Sequence, residues 1–177
     1  VEGLLPNVVV SNASAGHTVL FRPPIAFNNS ARDVTIDAGC TFNIGNNPYL
    51  QRGTTFTNNG TLTANGSFSR FIWFPAGGNG TYQGAGTSTG VLTSWETQMA
   101  TLTMSQASPL SVRRAIIFTG NILNSNKLTL GDGSATQNVV QLGNTTTPTA
   151  AGAFDAAPTF NLGAGGQHLA YLRTTAS

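Results

Sequence analysis

The chain is short of charge. Of its 177 residues only 8% are Asp, Glu, Lys or Arg, against roughly 25% in an average soluble domain. Coiled coils and ordinary helical bundles depend on charged, helix-forming surfaces, so the shortage excludes them. Disorder usually joins low hydrophobicity to high net charge; here 40% of residues are apolar and the formal net charge is +2. The basic pI of about 9.1 reflects eight bases against six acids. No run of Lys or Arg offers a nucleic-acid footprint, and no nucleic-acid partner is expected. Cysteine is nearly absent. Cys40 stands alone, which rules out an intramolecular disulfide and points to a buried free thiol. Long apolar runs are missing too: Phe71-Ile72-Trp73-Phe74 and Ala115-Ile116-Ile117-Phe118 fall far below the ~20 residues that cross a bilayer, so no membrane span is expected.

What the chain does have is Thr (25), Gly (21), Asn (17) and Ser (13), set in short alternations with apolar residues. Thr54-Thr55-Phe56-Thr57, Thr61-Leu62-Thr63, Thr101-Leu102-Thr103-Met104, Lys127-Leu128-Thr129-Leu130 and Thr159-Phe160-Asn161-Leu162 each put apolar side chains on one face of a strand and hydroxyls or amides on the other. Between Ser94 and Thr103 a helical turn is also compatible, because Trp95, Met99 and Leu102 fall at helical spacing. The Thr-rich flanks argue equally for a strand. Two all-β arrangements fit. Asn59-Gly60, Asn65-Gly66 and Asn79-Gly80 suit φ > 0 turns that close antiparallel hairpins, as in a β-sandwich. Recurring Phe/Leu-Thr segments followed by Gly suit stacked coils of a β-solenoid.

Sites for chemistry are sparse. Asp33 and Asp37 are the only acids close in sequence. A strand would place them on one face, where glycoside cleavage needs its carboxylates, but both also border Val34-Thr35-Ile36 and suit hydrogen bonding at its ends. His17 and His168 have no nucleophile motif around them. Gly131-Asp132-Gly133-Ser134 starts like a calcium loop, lacks the later ligands, and reads as a β-turn. Gly84 to Gly90 has the wrong spacing for a dinucleotide fingerprint and reads as a tight loop. No catalytic, cofactor or metal residue is assigned. Arg113-Arg114 and Arg70-Phe71-Ile72-Trp73-Phe74 are the distinctive surface candidates. Alternation buries one apolar pair of the latter, leaving Arg70, Ile72, Trp73 and Phe74 as the candidates for a partner or glycan contact.

Gly39-Cys40-Thr41-Phe42-Asn43-Ile44-Gly45-Asn46 and the stretch from Phe56 to Gly66 resemble the phrasing of long β-helical bacterial surface proteins. Leu128 to Gly133, Val140 to Gly143 and Phe154 to Gly163 look like a recurrent module of large surface proteins secreted by the type IX system of Bacteroidetes-type bacteria. The resemblance covers roughly Ala38 to Thr175. No C-terminal sorting domain of that family is recognisable, and the chain is read as part of a longer one.

The resemblance implies a right-handed parallel β-helix, a solenoid, with an antiparallel β-sandwich as the alternative. Residues 1–177 are expected to form one all-β domain. In the solenoid, Phe42, Phe56, Leu62, Leu102, Leu128, Leu142 and Phe160 should share the interior. The implied role is a non-enzymatic structural or adhesive module at the cell surface or outside the cell. It requires no cofactor, and its partners are neighbouring segments, copies of itself or a surface glycan. Alternatives are a polymerising β-sandwich subunit of a fibre or capsid, a glycan- or ice-binding module using flat Thr arrays, and a carbohydrate-active enzyme.

Overall fold

Along Thr61-Leu62-Thr63-Ala64 a strand is the backbone state that puts Leu62 and Ala64 on one side and both threonines on the other. In the computed structural model this pattern recurs around a parallel β-solenoid of about five turns. The structure describes residues 7–11, 17–20, 30–46, 48–75, 78–134, 138–142, 154–161, 163 and 168–172. β1 (Val8–Val10), β2 (Thr18–Leu20) and β3 (Ser30–Ala31) begin the stack. Above them come β4 (Val34–Ile36), β5 (Thr41–Asn43) and β6 (Pro48–Gln51), then β7 (Thr55–Asn58), β8 (Thr61–Ala64) and β9 (Arg70–Trp73). β10 (Asn79–Gly84) and β11 (Thr87–Gly90) lead into β12 (Ser94–Gln106), which bends from the third face of its turn onto the first face of the next. β13 (Leu110–Val112), β14 (Arg114–Leu123), β15 (Leu128–Leu130) and β16 (Asn138–Leu142) continue the stack, followed by β17 (Thr159–Phe160) and β18 (His168–Leu172).

Three faces result. The first runs β1-β4-β7-β10-β12-β14, and the third β3-β6-β9-β12-β14-β16-β18. On the second face β2-β5-β8-β11 is followed by β13-β15-β17, linked by the parallel bridge Leu92 to Val112. Every described ladder is parallel, so the antiparallel sandwich is excluded. The segment around Met99 is strand throughout, with its register shifts at Thr97/Gln98 and Gln98/Thr101, where β12 turns the corner.

Asn59-Gly60 and Asn65-Gly66 serve corners, not hairpins, and Asn79-Gly80 opens β10. Gly60, Gly66 and Gly80 are not among the described glycines at positive φ. Thr57 pairs with Thr35 and Gln83 on neighbouring turns, not with Thr61. Gly60 is required for a different reason: a Cβ there would lie 2.3 Å from the Cys40 carbonyl oxygen and 2.4 Å from that of Asp37. Turns stack about 4.8 Å apart, and where the backbone bends inward at a corner no side chain fits between successive turns. Gly84 combines both needs, with φ +116 and a would-be Cβ 2.1 Å from the Asn58 carbonyl oxygen.

Inside, the earlier turns hold aromatic rings and the later turns aliphatic ones. Tyr49 meets Phe42, Phe56 and Phe71 edge-on with centroids 5.2–6.3 Å apart, and Phe71 stacks on Trp73 at 5.6 Å. Leu102, Val112, Ile117, Ile122 and Leu128 fill the later turns with no exposure above 1%. Burying each such side chain contributes about 1.5–3 kcal/mol. Phe42, Phe56, Leu62, Leu102 and Leu128 occupy the shared interior as the alternation requires. Cys40 is a buried free thiol within it. Leu142 lies in β16, but its side chain is outside the described residues. Phe160 departs from expectation: it shares a register column with buried Leu130 yet is 57% exposed. Among the described residues β17 is the outer strand of its sheet, so no further described strand of that sheet covers the ring.

Candidate functional site

The surface candidates divide on inspection. Trp73 points into the core at 0% exposure, and its Nε1 donates to the Gly53 carbonyl at 2.8 Å. It therefore belongs to the interior and offers nothing to a partner. Ile72 faces outward, in the column Leu50-Ile72-Glu96-Ile116-Gln141, but is only 8% exposed. Phe74 is partly buried, and its carbonyl accepts from Arg52 Nη1 at 3.4 Å. Arg70 is engaged by Glu96, whose Oε1 accepts from Nε at 3.1 Å and Nη2 at 2.5 Å, and also from the Ser94 hydroxyl at 3.0 Å. Arg70 keeps a partly accessible side chain, at 36%.

The carboxylates fare similarly. Asp33 Oδ1 accepts from the Thr55 N–H at 2.9 Å, fixing the entry to β7 one turn above. Asp37 closes the other end of β4 through its backbone, its N–H donating to Val10 O and its carbonyl accepting from Cys40 N. The two border β4 at its opposite ends.

Asp132 is turned back on itself, accepting from the Ser134 N–H at 2.9 Å and the Ser134 hydroxyl at 2.5 Å, while its other oxygen takes the Arg113 guanidinium. Burial alone would raise its pKa, but the hydrogen bonds from Ser134 and the charge of Arg113 prevail and hold it at about 2. The segment bends at Gly133-Ser134 and is closed by the Asp132 side chain rather than by a backbone bond, and the Arg113 contact adds to it.

Asp155 accepts from Ser125 N at 3.0 Å, Asn124 N at 2.8 Å and the Ser125 hydroxyl at 2.9 Å. The two backbone donors are the main reason its pKa is lowered. They also anchor a 3-10 turn, Ser125–Lys127, entered through Asn124 in the left-handed region at φ 57.

Tyr49 is raised well above the ordinary phenol value, first by burial and then by the Asp33 charge. It stays a neutral donor to Gln51 Oε1 at 2.6 Å. His17 is exposed and contributes a carbonyl to the ladder, while the His168 side chain lies outside the described residues. Among the described residues no three His, Cys, Asp or Glu side chains group as a metal site. No helix there is long and apolar enough to cross a membrane.

Two features needed the register to be seen. The first is that charge ties turn to turn: Arg70 and Glu96 are 26 residues apart, Arg113 and Asp132 are 19, and Asp155 and Ser125 are 30. The second is a hydroxyl lattice on the outer side of the second face. Thr18, Thr41, Thr61 and Thr87 form one column, with Asn43, Thr63 and Thr89 beside it. Thr61 and Thr87 hydroxyls lie 3.4 Å apart, and those of Thr63 and Thr89 3.2 Å apart. The first face adds Thr55-Thr81-Thr103 and Thr35-Thr57. Comparison with protein-family models, curated proteins and solved structures returns no match for this chain.

Proposed function

We propose that the chain is a non-enzymatic structural or adhesive module of an exported bacterial surface protein. The observation that carries this reading is the use made of its few charges. Among the described residues Arg70, Glu96, Arg113, Asp132, Asp155 and Asp33 each bond to an adjacent turn, so four of the five described carboxylates are engaged in holding the stack together. The outer sides of the first and second faces, rich in Thr, then depend little on salt, as suits an extracellular setting. The experiment is a turnover screen of the purified chain against polysaccharide and peptide libraries, alongside Asp33→Asn and Asp132→Asn. No turnover is expected from any of the three, and activity abolished by either substitution would overturn the reading.

The Thr lattice of the second face favours a second reading, a surface for ice or a glycan. Its hydroxyls repeat about every 4.8 Å between turns and about 6.6 Å along a strand, and no charge interrupts them. Ice recrystallisation inhibition or glycan-array binding lost in Thr63→Lys would support it. Silence in both assays would remove it.

A further inference from the structure

The solenoid's two end rungs on the second face are matched to each other. Among the described residues, β2 at one end pairs only with β5, and β17 at the other pairs only with β15. Each presents an inward-facing apolar side chain to solvent. Val19, in the column of Phe42 and Leu62, is 42% exposed, and Phe160, above Leu130, is 57% exposed, whereas Phe42, Leu62 and Leu130 do not exceed 3%. Both strands are short, three and two residues, and Pro158 directly precedes β17, but neither strand itself contains a charged residue or a proline to blunt its edge. The outward positions match as well. Thr159 continues the column Ser111-Thr129, and Thr18 begins the column Thr41-Thr61-Thr87.

We propose that copies of this chain associate head to tail, β17 of one copy docking in parallel on β2 of the next, with Thr159 opposite Thr18 and Phe160 opposite Val19. That register seats one apolar side chain on another, places hydroxyl beside hydroxyl, and continues the parallel ladder found within the chain. Two like ends brought together would run antiparallel, so the match favours unlike ends. An interface between unlike ends does not close on itself and yields an open filament. The proposal gives the structural module a partner, a second copy of itself, and in that sense rests on the preceding reading.

Directly opposed residues on neighbouring strands stand about 4.8 Å apart, inside the Cα range a disulfide bridges. Thr18→Cys with Thr159→Cys, in the full chain and under oxidising conditions, should therefore yield a ladder of covalent dimers, trimers and longer species. Either single variant should stop at dimers. No species beyond those of the single variants would overturn the proposal.

Phe160→Lys supplies a check that does not depend on oxidation. Its side chain is already exposed, so the monomer folds, but docking would bury an unpaired charge. Sedimentation should show association weakened by about tenfold or more. Undiminished association in Phe160→Lys, or an unmodified chain that stays monomeric at its highest soluble concentration, would contradict the docking. A monomer without turnover removes only the filament, whereas turnover in the substrate screen removes the structural reading whatever the association state.

Discussion

Phe42 and Phe160 are the same residue on the same face of the solenoid, both turned inward by the strand alternation, yet one is 2% exposed and the other 57%. The difference is position in the stack. Phe42 has β2 on one side and β8 on the other and meets Tyr49 edge-on at 5.3 Å, whereas β17, which carries Phe160, has a neighbour on one side only. In a solenoid the inward direction does not by itself bury a side chain. Burial comes from the rung above and the rung below, and stability is accordingly close to a sum over neighbouring turns.

The sharpest way to break the comparison is to truncate inside the stack. Phe42→Ala should cost about 3–5 kcal/mol, read as a fall in the denaturation midpoint at unchanged slope. A cost near zero would mean that the interior can collapse around the loss. Gly84→Ala probes the corner where turns approach most closely. With φ +116 and the Asn58 carbonyl 2.1 Å from the new Cβ, it should cost about 1–3 kcal/mol.

Asp132 tests the ties between turns. Its pKa falls from 3.8 to about 2 on folding, so its contribution is complete above the unfolded value and fades as pH drops through the folded one. That contribution is about 1–2 kcal/mol after solvent screening. Stability measured between about pH 4 and pH 2 should decline in the unmodified chain, and less steeply in Asp132→Asn. Smallest of all, Phe160→Ala in the dilute monomer should change stability by less than about 0.5 kcal/mol. A cost comparable with that of Phe42→Ala would erase the distinction between interior and end.

The comparison also explains what was legible in the amino-acid string. Alternation in Thr61-Leu62-Thr63 or Thr101-Leu102-Thr103 reports inward and outward faces correctly because it is a property of one strand. Which strand lies beside which is not local. Rung intervals run from 18 residues, Leu110 to Leu128, to 32, Ile122 to Phe154, so no fixed repeat betrays the coils. Asn59-Gly60 is ambiguous for a physical reason: a hairpin needs glycine for positive φ, a solenoid corner needs it for close backbone approach, and the dipeptide is the same.

The partners of Arg70 and Arg113 were hidden in the same way. Glu96 stands 26 residues from Arg70, the interval that also separates Thr61 from Thr87 and Phe56 from Tyr82. The register partner of Arg70 on that rung is Ser94, so the ion pair is diagonal and shows only once the strands are in place. The side of Trp73 is not legible from strand alternation, which allows either apolar pair to face in; the structure buries Phe71 and Trp73, and the backbone oxygen of Gly53, contributed from the turn below, fixes the indole.

The most direct test of the dependence on neighbouring rungs is amide hydrogen exchange followed strand by strand at two protein concentrations. In dilute solution the amides of β5 and β8 should be strongly protected, while those of β2 and β17 that point away from the stack exchange quickly. At high concentration the end amides should slow as copies dock on them, with β5 and β8 unchanged. End strands as protected as β5 in dilute solution, or insensitive to concentration, would contradict the account.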